Sequence, residues 1–199
     1  MGKAAARFAR YAVLCGVMIP WLFQYPLFTA DQEGAFKASS PREAPGGFLV
    51  IRGAGINIYY DPDVDLRRVE RRFRRSFFFG GGGSSSGDAA YDLASRLESL
   101  LSNVKSTLGM YPTGMTITIK IFKTREDLNE AYYNIFRTDE NYISFYIHKF
   151  ETIYTTERDI SYAIMAHEMA HAVTDHYFGL IPPDAIRELL ATYVEENIE

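Results

Sequence analysis

His167, Glu168 and His171 carry the strongest chemical signal in the chain, in the run Ala166-His-Glu-Met-Ala-His-Ala172. On a helix, residues four apart lie on one face, one turn above the other. Two imidazoles can therefore point at a single metal ion. Glu168 stands beside them, placed to take a proton from a water on that metal. This H-E-x-x-H spacing suits metal-assisted hydrolysis, and three of the four histidines lie between positions 167 and 176.

Catalytic zinc takes three protein ligands and leaves one position for water, so two histidines are not enough. Asp175, His176 and Glu188 compete for the third place. His176 is nine residues beyond His167, and about 100° per residue turns it to the opposite side of the helix. Asp175 is one turn past His171 on the correct face, but the same rigid helix keeps it from the metal. It suits bracing His171 through the free ring nitrogen. Glu188 arrives on another helix and can approach from a new direction. The expected set is His167, His171 and Glu188 around one zinc ion.

These residues need two helices. The first is expected from about Glu157 to Phe178, capped within Thr155–Asp159 and stopped by Gly179. The second starts at Pro182-Pro-Asp184 and runs from Ala185 to about Asn197. Upstream, Phe48–Arg52 and Gly55–Tyr60 read as a bent strand or hairpin. Leu66–Arg75 puts Leu66, Val69 and Phe73 on one side and arginines on the rest. That pattern reads as a solvated amphipathic helix in preference to a polyanion contact. Ala89–Met110 has a strong helical period, Met115–Phe122 alternates as a strand, and Thr124 opens a helix. Tyr142–His148 is a further strand, with a short one expected at Phe150–Tyr154. The class is α+β, with a small mixed or antiparallel sheet, a long helix, the site helix and a C-terminal ligand helix.

At 199 residues, 47% hydrophobic and 23% charged, the chain suits one domain with a full core. A net charge of −4 argues against nucleic-acid binding. Lys3, Arg7 and Arg10 precede Tyr11–Ala30, which carries no charge. Residues 1–30 therefore read as a signal peptide or an N-terminal membrane anchor, with possible membrane association through this segment. The body is then exported, to the periplasm or the extracytoplasmic face of the membrane. Without the leader it carries −7 and no cysteine, since the single Cys15 lies inside it. Disulfides and thiolate chemistry are thereby excluded from the body. Residues 31–47 read as a linker, 48–199 as the domain, and the Gly/Ser run 80–87 as a flexible surface loop.

The segment Glu188-Leu-Leu-Ala191-Thr-Tyr193-Val-Glu195 resembles the Glu-Gly-x-Ala-x-Tyr-x-Glu segment that follows H-E-x-x-H in gluzincin metallopeptidases. It is most similar to the peptidase MA-like branch. The resemblance spans roughly 48–199, with its specific motifs confined to 167–195. It implies a zincin-like half-domain, Glu188 as third zinc ligand, Glu168 as general base, and a peptide or protein substrate. The chain departs at Ala185-Ile186, where the family has Trp-Leu, and at Leu189, where a glycine permits close backbone approach and leucine is expected to crowd the site. Thr174 and Tyr177 replace the glycine and histidine that a metzincin needs.

The strand Ile143–Ile147 is expected to pair with an extended peptide. Tyr146, His148, His176 and Tyr193 are the candidate oxyanion donors, and the sequence does not choose among them. The chain ends soon after the last helix, so a shallow, open site is expected, or one completed by a partner or the membrane. Glu168 favours an enzyme. The alternative is a non-catalytic zinc-binding or pseudo-peptidase module in envelope assembly.

Overall fold

A computed structural model describes residues 42–43, 46–76 and 87–198. The signal or anchor at 1–30, most of the linker and all of the Gly/Ser run except Gly87 lie outside the described residues. The strands are β1 (Arg42–Glu43), β2 (Leu49–Arg52), β3 (Ile56–Tyr60), β4 (Ile117–Phe122), β5 (Ser144–Ile147) and β6 (Thr152–Thr156). They form one mixed sheet in the order β1-β2-β3-β4-β6-β5. Pairing is parallel for β3/β4 and β4/β6 and antiparallel elsewhere, including β5 on β6. The α+β class holds. The expected linker contains β1, which pairs with β2.

The helices are α1 (Leu66–Ser76), α2 (Ala89–Leu108), α3 (Arg125–Phe136), α4 (Tyr162–Phe178) and α5 (Asp184–Asn197). Ile117, Ile119 and Ile121 of β4 alternate onto the sheet face where α2 and α4 pack, and each is fully buried. From α2, Leu93, Leu97, Leu100 and Val104 fill the same core. Glu98 of α2 accepts hydrogen bonds from the N–H groups of Gly55 and Ile56, at 2.9 and 3.1 Å. On the opposite sheet face a smaller cluster joins Phe122, Leu128, Phe145 and Tyr154 under α3. A capping box between Thr124 and Asp127 starts α3.

Helix α4 begins later than the sequence suggested. Residues 152–156 continue β6, because Thr152–Thr156 pair along β4 from Thr118 to Phe122. Glu157 and Asp159 face cationic side chains of other elements and do not cap the helix. The cap is Ser161, whose side chain accepts from the Ile164 N–H. Gly179, at φ 66°, ends the helix in the left-handed conformation that glycine adopts without steric cost. Met165, Ala166, Met169, Ala170, Ala172 and Val173 are all fully buried, which makes α4 the central helix.

The arginine-rich α1 buries Val69 and Phe73 and leaves Arg67, Arg68 and Arg71 exposed, as a solvated amphipathic helix does, and polar contacts tie it to its neighbours. Arg68 lies 3.2 Å from Glu157, Arg72 donates to the Glu157 and Arg158 carbonyls, and Glu70 lies 3.2 Å from Arg96. No helix among the described residues is long and apolar enough to cross a membrane.

Candidate metal centre

The centre is built by α4, α5 and β5, the edge strand of the sheet among the described residues. After Gly179 the chain turns through Pro182-Pro183, and α5 returns against α4 by burying Ala191 and Val194. The small Ala191 lets the two helices approach closely. Glu188, three residues earlier, then faces His167 and His171. Leu189 points away and is 55% exposed, so the crowding expected there does not occur.

His167, His171 and Glu188 offer three ligand atoms within 4.8 Å of one another. Nε2 of His167 is 3.5 Å from one Glu188 oxygen, and Nε2 of His171 is 3.5 Å from the other. Tetrahedral zinc with bonds of about 2.0–2.1 Å needs donors separated by roughly 3.3–3.4 Å. The two 3.5 Å separations run to different Glu188 oxygens, so the carboxylate sits between the two rings, and two nitrogens with one oxygen are donors that zinc accepts. Burial, and then the neighbouring His167, push the His171 imidazole down to about 4. It is neutral at physiological pH, and its Nε2 lone pair is available to a metal.

Nδ1 of His167 lies 3.3 Å from a Glu195 oxygen. A carboxylate in this position is the usual partner of a ligating histidine and can fix the orientation of its ring. The sequence contained the signal, since Glu195 stands seven residues past Glu188 and so two turns along one helix face. Asp175 does not fill the corresponding place for His171, whose Nδ1 is buried without a hydrogen-bond partner. The Asp175 carboxylate instead receives Nε and Nη2 of Arg187, at 3.1 and 3.3 Å, with His148 Nδ1 at 3.4 Å. A two-pronged charged partner outcompetes a single neutral ring N–H. Arg187 thus ties α5 to α4 immediately before Glu188, a role that only the fold makes visible.

Glu168 lies beside the donors. Burial pushes its carboxyl up to about 7, and Glu188 adds to the rise. The Ser144 side chain and the Tyr146 backbone of β5 lie close enough to work against that rise, the Ser144 hydroxyl itself donating to the Tyr154 carbonyl at 3.0 Å. A carboxyl poised near neutrality can accept and return a proton.

The four oxyanion candidates separate. Tyr146 lines the cleft, and its hydroxyl oxygen is buried without a hydrogen-bond partner. Burial raises its pKa further, so it is a proton-bearing donor. His148 is turned to Asp175. His176 is occupied by the Ala172 carbonyl at 2.8 Å and Glu151 at 3.2 Å. Tyr193 does not line the cleft, which has a volume of about 390 Å³ and spans the donors, Glu168 and β5.

No family model, curated protein or solved structure matches the chain.

Proposed function

We propose that this chain is a zinc-dependent peptide-bond hydrolase of the gluzincin type, on a zincin-like half-domain and working outside the cytoplasm. The observation that carries the proposal is the convergence of His167, His171 and Glu188, from two helices, beside a buried Glu168. The antiparallel strand β5 alongside α4, open on one edge among the described residues, supports the same reading. The basic residues before the uncharged Tyr11–Ala30 support export, with that segment either cleaved or retained in the membrane.

His167, His171 and Glu188 would hold the ion, with Glu195 orienting His167. Zinc, when bound, supplies a Lewis acid that polarises a scissile carbonyl and acidifies water. Glu168 takes the proton of the attacking water as its oxygen bonds to the carbonyl carbon. It then gives that proton to the departing amine as the C–N bond breaks. Tyr146 supplies the hydroxyl donor for the charge that develops on the carbonyl oxygen. The open edge of β5 offers backbone groups to an extended peptide.

The test is to purify the full chain, measure bound zinc, and compare peptide hydrolysis by wild type and Glu168→Gln. The expected result is one zinc per chain in both proteins and hydrolysis lost only in the variant. Zinc without hydrolysis in wild type would leave a metal-binding module. A wild type that takes up no zinc would sink the proposal.

A further inference from the structure

The cleft has a second wall that metal-assisted hydrolysis does not require. Tyr132 and Phe136 of α3 and Tyr142 before β5 line the same cleft as His167, Glu168, His171 and Glu188. The Tyr132 ring centroid is 4.6 Å from Phe136, 5.0 Å from Tyr142 and 5.1 Å from Phe145. Phe136 is 45% exposed and Tyr142 43%, so their rings are open to the cleft and only partly used in packing. Leu128 is the one fully buried residue of α3 and anchors the helix to the sheet. Directly after Phe136, Arg137 adopts φ 59°, a left-handed conformation unusual for a residue with a side chain. This residue ends α3 with the Phe136 ring at the cleft.

The pleat of β5 gives this wall a use. Tyr146 packs on the α4 side of the sheet, while Phe145 and Ile147 pack on the α3 side. A peptide laid along the free edge must alternate its own side chains in the same way. Side chains on one side then fall toward Glu168 and the histidines, and the next falls on the rings of Tyr132, Phe136 and Tyr142. Aromatic walls favour planar and bulky apolar groups through burial and edge-to-face or offset contacts.

We propose, resting on the hydrolase reading above, that this aromatic shelf is a substrate side-chain subsite. The substrates are peptides with a ring-bearing residue near the cut bond, seated on Tyr132, Phe136 and Tyr142. The shelf is a specificity device and takes no part in the chemical step.

The test uses full-length, zinc-loaded protein and a synthetic library of unstructured peptides, with cut sites read by mass spectrometry. Wild type should favour Phe and Tyr over Gly and Asp by about tenfold or more at one position near the cut bond. Phe136→Ala and Tyr142→Ala should each remove most of that preference by raising KM for ring-bearing peptides. Zinc content should stay unchanged. Phe136→Leu and Tyr142→Leu keep apolar volume, so the fold survives if the alanine variants do not, and they should shift the preference toward aliphatic residues. Cleavage without ring preference, or a preference unmoved in all four variants, overturns the shelf alone. A zinc-loaded wild type that cuts no peptide overturns the hydrolase reading and the shelf together.

Discussion

Glu157 and Glu168 are both buried carboxylates, eleven residues apart, and the fold treats them oppositely. Burial by itself would raise Glu157. Lys123 at 2.8 Å, the Asp65 N–H at 3.0 Å and Arg68 at 3.2 Å outweigh that and hold it below its ordinary value. Glu168 has no such cation within bonding distance among its described contacts, so burial prevails and raises it. Glu157 is a satisfied charge that joins α1, β4 and the turn before α4. Glu168 is a carboxyl left near neutrality beside three metal-binding atoms. The difference separates a charge that maintains structure from one available for proton transfer.

The largest predicted effects should fall on one side of this comparison only. Glu188→Ala removes a ligand and should weaken zinc binding by more than about 100-fold, beyond the effect of losing an orienting partner. Equilibrium dialysis against a zinc-buffered chelator would measure it, and unchanged affinity would exclude Glu188 as a ligand. Glu168→Gln should keep zinc and lower hydrolysis by about 10²–10⁴-fold, the usual share of a positioned base. Its melting temperature should hold or rise, because the substitution removes a buried ionisable group without an ion-pair partner. A clear loss of stability in that variant would mean that Glu168 is as structural as Glu157.

A smaller effect sharpens the comparison within the site. Glu195→Gln leaves the three ligands in place and removes only the carboxylate beside His167 Nδ1. Zinc affinity should fall by about 10–100-fold with the fold intact. If affinity does not change, the Glu195 contact is a surface ion pair without influence on the ring.

What the sequence made legible followed local rules. The i, i+4 histidines and the turn that separates α4 from α5 are readable from spacing and from glycine and proline alone, whereas that reading favours Asp175 and passes over Glu195, seven residues past Glu188 on the same helix face. The helices of Ala89–Leu108 and Asp184–Asn197 are readable too, since their apolar spacing and flanking glycine or proline locate them within a few residues. The misreadings came from partners distant in the chain. Thr155–Asp159 looks like a helix cap, but parallel pairing with β4 keeps Thr155 and Thr156 in a strand. Asp175 stands at the correct spacing to brace His171, but Arg187, twelve residues on, claims it. Neither Arg187 nor the shelf of Tyr132, Phe136 and Tyr142 has a local signature, because each gains its place only when α5 or α3 packs.

On the structural side, Glu157→Gln should leave zinc binding and hydrolysis per folded molecule unchanged. It replaces a charged acceptor with a neutral one and strips Lys123 and Arg68 of their shared partner. Both cations are partly exposed and can rehydrate, so the cost should be about 2 kcal/mol and not that of a fully buried pair. For a domain of this size that lowers the melting temperature by roughly 4–8 °C. A loss of zinc in this variant would erase the distinction between the two carboxylates.

The smallest effect is a slope. The folded-state values of Glu157 and Asp159 are depressed, Glu157 by Lys123, the Asp65 N–H and Arg68 against its burial, Asp159 first by the hydrogen bond from Arg125. A depressed carboxyl binds fewer protons when folded than when unfolded. Its stabilisation is therefore present above the unfolded value, about 4 for these acids, and is lost as pH falls through the folded value. Wild type should lose stability progressively below about pH 4, as measured by urea midpoints at stepped pH. Glu157→Gln should show a shallower decline over that window, because one of the two linked protons is gone. The variant's curve should approach that of wild type at the acid end, where both proteins have lost the Glu157 charge. Parallel curves down to the acid limit would mean that Lys123 and Arg68 do not stabilise the Glu157 carboxylate, and that the contrast with Glu168 is one of position alone.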